Sequence, residues 1–514
     1  MQKRYLLLSV FVLGTFLGFA QHENILPASV EKMKMDWLWE KTTNAAGIQL
    51  DPVKNYSSIS ASYGMENGNF HRVMDGEKRE RLKFGAEGGV HVNGFYFRGK
   101  FDYSRDAIKE AMFNASLIDP YRRMPYFVAD TNSSNWNNQH YRLEFKIGFP
   151  TIGEHLLLGL AGNYHASMGA KQRDIRTENY FLQLTLRPGT VFLLNPRNRI
   201  GLNLEYFSLK EESNMGNVNV YIDQPYYKMY GLGKAIIGIG SGRTTNYIGN
   251  GLGGSIQYNH SGAVDLLLST GYTLKVEEAT VSFFNPRKEG SVLDHIWQNR
   301  LYLRFKGEES THYLEMDYLQ RKVKGIEYVT KYDDSESFKG YLTLGKNIRS
   351  TYADRLFHIA YSWADHCSDG YKHLFGGEFS FTAIDDRYIF PQSNKTVSNL
   401  SLALFAKRNL LFSEKLSKKL LLGVKLMYGK NIKNEYVYGG AFKDDPIASR
   451  LEKMDTAYHG SDFYGSCLTA VYSRNLSTTS GLQPYISADF TYRRSRNHPF
   501  HHRTIFFIGI GCNF

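Results

Sequence analysis

Segments of strand length that alternate apolar and polar residues recur along almost the whole chain. Leu82, Phe84, Ala86, Val90 and Val92 share one face of an early strand. Asn93-Gly94 follows, the strongest short-range signal for a two-residue hairpin, and Phe95, Phe97, Gly99, Phe101 and Tyr103 run back. Tyr141, Leu143, Phe145, Ile147 and Phe149 lead to a Pro150-Thr151-Ile152-Gly153 turn, answered by Leu156, Leu158 and Leu160. Leu301, Leu303 and Phe305 are answered across Gly307-Glu308-Glu309-Ser310 by Leu314, Met316 and Tyr318. Period-two patterning of this kind predicts half-buried strands throughout.

The connections alternate in length. Short turns are expected near residues 93, 151, 260, 308 and 348, and long loops over 65–79, 106–138, 211–246, 276–294, 322–337 and 431–460. Short turns on one side and long loops on the other are the pattern of a membrane β-barrel with periplasmic turns and extracellular loops. The fold class expected is therefore all-β: a transmembrane antiparallel β-barrel of about 18 to 20 strands. Between Ala364 and Leu400 the pattern weakens; Asp385-Asp386 reads as a turn and Arg387 to Phe390 as a short extra strand.

The end of the chain carries the same alternation to its final residue. Phe506, Ile508, Ile510, Cys512 and Phe514 lie on one face, with Ile505, Phe507, Gly509, Gly511 and Asn513 on the other. This segment resembles the C-terminal signal by which outer-membrane proteins engage the barrel assembly machinery. At the other end, Met1-Gln2-Lys3-Arg4 is a basic n-region and Tyr5 to Phe19 an apolar run too short to span a bilayer. Residues 1–20 are expected to be a signal peptide cleaved between Ala20 and Gln21, giving an outer-membrane address. Residues 21–53 form an N-terminal periplasmic or lumenal segment, and residues 54–514 the barrel.

Composition agrees. The 514 residues include 36 Tyr, 33 Phe and 47 Gly but only 13 Pro, a balance that suits strands, interfacial girdles and turns. Mean hydropathy is −0.39, which argues against a helical membrane protein and is compatible with a barrel whose lumen is polar. The formal charge of +12 points, in an exported barrel, to loop Lys and Arg meeting the phosphates of outer-membrane lipids rather than to nucleic acid. Cys367, Cys467 and Cys512 are too few and too scattered for a disulfide framework.

Candidate chemistry is sparse. Gly249-Asn250-Gly251-Leu252-Gly253-Gly254 has the spacing of a dinucleotide fingerprint but continues into a strand, not the helix that binding needs. His498, His501 and His502 sit among arginines with no carboxylate or Cys nearby to complete a metal site. Ser, His and Asp residues are scattered without a catalytic spacing, so no enzyme activity and no cofactor are expected. Two groups remain. The loop carrying Tyr226, Tyr227, Met229, Tyr230, Ile236 and Ile237 is too apolar to be simply solvated; it either folds into the lumen, docks a partner or packs on its neighbours. Glu87, Arg98, Lys100, Arg142, Glu144, Arg304, Glu315 and Asp317 fall on the inward register, where they form interior ion-pair networks or orient polar cargo.

The Gly18-Phe19-Ala20-Gln21 cleavage context, the Asn44-Ala45-Ala46-Gly47 lead-in, the Tyr-rich strands and the terminal Phe together resemble the outer-membrane β-barrels of Bacteroidota, in an uncharacterised family. The resemblance implies a fold and an address, and no functional residues. It also implies a porin-like or uptake role: transport or capture of a solute at the cell surface, beside a TonB-dependent receptor or a surface lipoprotein. The chain is itself short for such a receptor, which places a plug domain before a barrel of about 22 strands. The alternative is a structural or partner-docking barrel without an open pore.

Overall fold

The computed structural model describes residues 26–219, 221–222, 224–239, 242–282, 285–335, 339–368, 370–413, 418–475 and 482–514. The expected signal peptide and its Ala20–Gln21 cleavage site lie outside them.

The described residues open with helix α1 (Pro27–Asp36) and two tight helical turns, Trp39–Lys41 and Ala45–Leu50. Strands β1 (Tyr56–Asn67), β2 (Lys78–Val92), β3 (Phe95–Ala111), β4 (Val128–Ala129), β5 (Ser134–Gly148), β6 (Leu156–Lys171), β7 (Arg176–Leu193) and β8 (Asn198–Gly216) follow. Then come β9 (Pro225–Gly231), β10 (Lys234–Ile239), β11 (Arg243–His260), β12 (Val264–Val281), β13 (Arg287–Lys306), β14 (Ser310–Asp333) and β15 (Gly340–Asp365). The last are β16 (His373–Tyr388), β17 (Ser393–Ser413), β18 (Lys418–Tyr438), helix α2 (Lys453–His459), β19 (Phe463–Ser473), β20 (Gln483–Ser495) and β21 (His502–Asn513).

Eighteen of these strands pair with their chain neighbours, antiparallel throughout, and β21 pairs back onto β1 to close the sheet. The terminal residue completes the seam: Phe514 exchanges backbone hydrogen bonds with Ser57 at 2.7 and 3.0 Å. Closure leaves no edge, as a sheet in lipid requires. The outward register is the apolar one the alternation predicts: Leu204 is 67% exposed, Leu252 69% and Ile510 61%. An apolar surface on this scale is stable only against hydrocarbon, so the protein resides in the outer membrane. Leu303 and Leu314 face each other across β13 and β14 on that register.

The predicted turns at 93, 151, 260 and 308 all fall at one end of the barrel. Asn93 (φ 50°) and Gly94 (φ 82°) both take the left-handed conformation of a type I′ hairpin. The expected turn near 348 is absent; Ile348 lies inside β15, opposite Ile326, where a bulge shifts the register. Asp385 and Asp386 form no turn either, being paired with Ala353 and Tyr352 inside β16. The sequence pattern fails there because β15, like its neighbour β14, runs on well beyond the bilayer: β14 has 24 residues and β15 has 26, where about 9–11 suffice to span. Inside the barrel these extensions meet the charged closure, with Asp354 of β15 and Asp386 of β16 paired to Arg123, and their alternation is lost. β12 and β13 likewise turn most of the expected loop at 276–294 into strand, and β14 most of that at 322–337. The long connections at the outer end are 112–133, 217–242 and 439–462.

Candidate functional site

The lumen is occupied from both ends. From the short-turn end, residues 26–52 enter and cross the barrel without contributing a strand to it. Pro27 starts α1, where its missing N–H costs nothing. Asp51 then folds the segment on itself, its carboxylate accepting the backbone N–H of Leu38, Trp39 and Glu40 at 2.8, 3.0 and 2.8 Å. Burial pushes this carboxyl up to about 7, against the three donors that favour its anion.

Opposite the helix, the Asn44-Ala45-Ala46-Gly47 stretch lies directly on the wall. Asn44 is fully buried and donates to Thr190 O (3.0 Å), Leu202 O (3.2 Å) and Gln257 Oε1 (2.9 Å). Three wall glycines permit the approach. A Cβ on Gly159 would overlap the backbone of Ala45 and Ala46, one on Gly189 would overlap the Asn44 carboxamide, and one on Gly201 would come within 2.9 Å of Asn44 Nδ2. Glycine inside a strand marks a close approach of this kind.

The lumen charges expected from sequence are where this segment is held. Glu87 pairs with Lys34, Arg98 with Glu40, and Glu315 with Lys41. Arg304 bonds Asp265 at 2.7 Å and reaches the backbone oxygen of Asp36. Lys146, on the same inward register, donates to Glu40 O and Thr42 O at 2.6 and 3.1 Å. Burial pulls the Lys41 ammonium down to about 8, against the nearby Asp51 and Asp36. The other sequence candidates pair along the wall: Lys100 with Asp102 (2.9 Å), Asp317 with Arg300 (3.1 Å), and Glu144 with Asn163 (3.4 Å). Arg142 stands apart, with no ion pair among the described residues.

From the opposite end the closure is made mainly by loop 112–133, while of the three alternatives for loop 211–246 the described part packs on its neighbours. Asn114 organises its entry, bonding Ser116 N, Leu117 N and Leu117 O. Arg122 and Arg123 then reach different strands of the wall, with Arg123 at φ 72°. Arg122 pairs with Glu211 of β8 and with Glu277 of β12 at 2.6 Å, and its carbonyl accepts Arg321 of β14 at 2.8 Å. Arg123 pairs with Asp354 of β15 and with Asp386 of β16 at 2.8 Å. The loop leaves through a fully buried ion pair, Asp130 with Lys171 at 2.7 Å. Its apolar residues Leu117, Met124 and Tyr126 fill the wall among Phe181, Phe207 and Val292.

The hairpin that the sequence left as a lumen plug, a docking surface or a self-packed loop sits above this loop. β9 and β10 pair, and β4 joins β9 to make a three-stranded sheet. Tyr227 and Met229 are buried against Phe113, Ile447 and Leu451, and Tyr230 packs near Tyr126. Tyr226 packs partly against Val128 and Ile175, while Ile236 and Ile237 face out, about half exposed. Helix α2 completes this cap: Asp455 accepts Lys395 at 2.6 Å and Arg72 at 2.8 Å. Burial opposes an anion there, but Lys395, Arg72 and His459 outweigh it and hold the carboxyl well below the usual range.

Between the two closures lies a chamber of about 300 Å³, roofed by Ile118 to Met124 and walled by β5, β6, β7, β8, β12, β13 and β14. A second cavity of about 250 Å³ lies on the Arg123 side of the loop, under α2. The glycine motif at 249–254 is wall strand, inside β11. His498 and His501 lie at the β20–β21 turn with their rings 6.2 Å apart.

A family model described as DUF6850, a family of unknown function, matches residues 45–514. No curated protein matches the chain. Solved structures similar to it include the ferric preacinetobactin receptor BauA of Acinetobacter baumannii, at 8% identity and a TM-score of 0.41, covering 90% of this chain and 80% of the receptor. The ferric yersiniabactin uptake receptor FyuA of Yersinia pestis aligns at 9% identity and a TM-score of 0.43, covering 90% and 79%. The RagAB peptide importer in its closed-closed state aligns at 7% identity and a TM-score of 0.39, covering 90% and 87%. At these scores the likenesses carry no argument about activity.

Proposed function

We propose that this chain, which belongs to the DUF6850 family of unknown function, is a gated barrel for uptake or capture of a solute at the cell surface of a Bacteroidota bacterium. The observation that carries the reading is that residues 26–52 close the lumen without belonging to its wall. Such a segment can leave through the short-turn end while every strand ladder stays intact. Its anchors are ion pairs and hydrogen bonds, which water replaces on release at a net cost of about 1 kcal/mol each, together with buried apolar residues, Trp37, Trp39 and Ile48, whose exposure adds to that cost. A barrel of 18 strands freed of both closures is wide enough for an aqueous channel. In this reading solute enters under the cap, rests in the chamber, and leaves when the N-terminal segment is drawn toward the periplasm. A force-supplying partner suits that last step, and the proposal is that the barrel works beside a TonB-dependent system or a surface lipoprotein. The reading includes no catalytic step.

The test is gentle extraction of the native protein and mass spectrometry of what accompanies it. Stoichiometric recovery of an energised receptor or surface lipoprotein supports the reading. A solitary barrel that stays shut after both closures are removed counts against it. A second reading, a partner-docking barrel, is favoured by Ile236, Ile237 and Ile239, which are 48%, 57% and 68% exposed on β10.

A further inference from the structure

The chamber between the two closures carries more cation than its own acids neutralise. Of its lining acids, Glu277 is taken by Arg122 at 2.6 Å, and Asp294 is held by Arg321 at 2.8 Å. Asp119 turns back to accept its own loop's Tyr121 N at 3.0 Å. Two wall cations then lack a close partner: among the described residues, the side chains of Arg142 on β5 and Lys275 on β12 make no ion pair or hydrogen bond, although Asp102 and Asp294 stand opposite them in the strand register. Lys275 lies over the Phe207 ring, 4.0 Å from its centroid. A third group points the same way. Arg122 is only 10% exposed, and its Nε has no acceptor. A buried donor left unmatched costs about 1–3 kcal/mol, and here it sits in the roof of a cavity that both free cations line. Gln183, on the same wall, has an amide free to donate among the described residues.

We infer that this chamber is a binding site for a small oxyanion, a carboxylate or phosphate, held by Arg142, Lys275 and Arg122 Nε, with Gln183 as a neutral donor and Phe181 and Phe207 against its apolar body. The inference rests on the uptake reading and names its substrate class. The geometry suits the class. Arg142 from β5, Lys275 from β12 and Arg122 from the roof line one chamber, where guanidinium and ammonium groups can hold one anion between them, and 300 Å³ is at the small end of ligand pockets. Water exclusion by the roof loop strengthens each charge–charge contact.

The test is isothermal titration of the purified full-length barrel in detergent with sodium phosphate, disodium succinate and, as a neutral control, glycerol. At least one anion is expected to bind saturably, and glycerol not at all. Arg142→Gln and Lys275→Gln are each expected to weaken that binding at least tenfold, with barrel assembly verified by heat-modifiable gel mobility. Phosphate alone binding identifies an inorganic source; succinate alone identifies a carboxylate. The same titration on Arg123→Ala, which loosens the roof, keeps slow entry from hiding the site. Neither anion binding to the wild type or to Arg123→Ala overturns the inference, as does unchanged affinity in both wall variants. Because the readout needs neither passage nor a partner, its failure is separable from failure of the uptake reading.

Discussion

Substituting valine for Gly159 should eject the stretch around Asn44 from the lumen while leaving the barrel standing. The inward position itself tolerates a side chain, since valine suits a strand. What it meets is backbone: the new Cβ would overlap Ala46 N, Ala46 Cα and Ala45 C, none of which can rotate away. The segment has to lift off. Lifting breaks the three hydrogen bonds from Asn44 to the wall, about 3 kcal/mol in all at ~1 each. It also exposes Ile48, fully buried in the docked state, for about 2 kcal/mol more. A loss near 5 kcal/mol converts a docked segment into one that is mostly free. Limited trypsin digestion reads this out at Lys41, a half-buried residue paired with Glu315. Cleavage after Lys41 should be rapid in Gly159→Val and slow in the wild type. Gly99→Val is the control, because a Cβ there meets nothing within 4 Å. Equal protection of Lys41 in all three proteins would refute the claim that the wall glycines exist to seat this segment.

Other outcomes follow from the same geometry. Arg123→Ala removes the clamp on Asp354 and Asp386 and should raise hydrogen exchange across residues 118–127 while β15 and β16 stay protected; uniform protection would show the loop is held elsewhere. Burial holds the His459 imidazole down at about 4 in the docked cap. A depressed histidine favours docking at neutral pH and opposes it as pH falls through about 6.5 toward 4, by on the order of 3 kcal/mol when fully protonated. Radical footprinting of Ile447 and Leu451 should therefore show α2 loosening over that window, and His459→Gln should flatten the response. Ile510→Arg puts a charge on the lipid face near the midplane, where the cost is about 2–4 kcal/mol; surface levels equal to the wild type would mean the register of β21 is wrong.

Much of the barrel was legible because its signal is local. Alternation in β2, β3, β5 and β6, the Asn93-Gly94 hairpin and the Phe514 strand all read within a few residues, and closure follows from them. The inward register was legible for the same reason, and it placed Glu87, Arg98, Arg304 and Glu315 on the lumen side. Their partners were not legible. Glu315 meets Lys41 across 274 positions of sequence, and no periodicity records such a match. The seat for Asn44 is likewise assembled from Gly159, Gly189 and Gly201 on three different strands. The inserted loop was not legible, because apolarity drew attention to 211–246 and not to 112–133. Loop 112–133 is held inward by Arg122, Arg123 and Asp130, charges that in a linear reading look solvated, whereas the more apolar 225–239 hairpin spends Tyr227 and Met229 on the cap.

The central claim is that two independent closures, one from each end, seal an 18-stranded barrel. Single-channel recording in planar bilayers tests it with four proteins: the wild type, a variant lacking residues 26–52, the Arg122→Ala/Arg123→Ala variant, and the two changes combined. The account predicts that the first three stay closed or nearly so and that the combined variant opens a large, steady conductance. Full conductance in the wild type or after either single change, or silence in the combined variant, would contradict it.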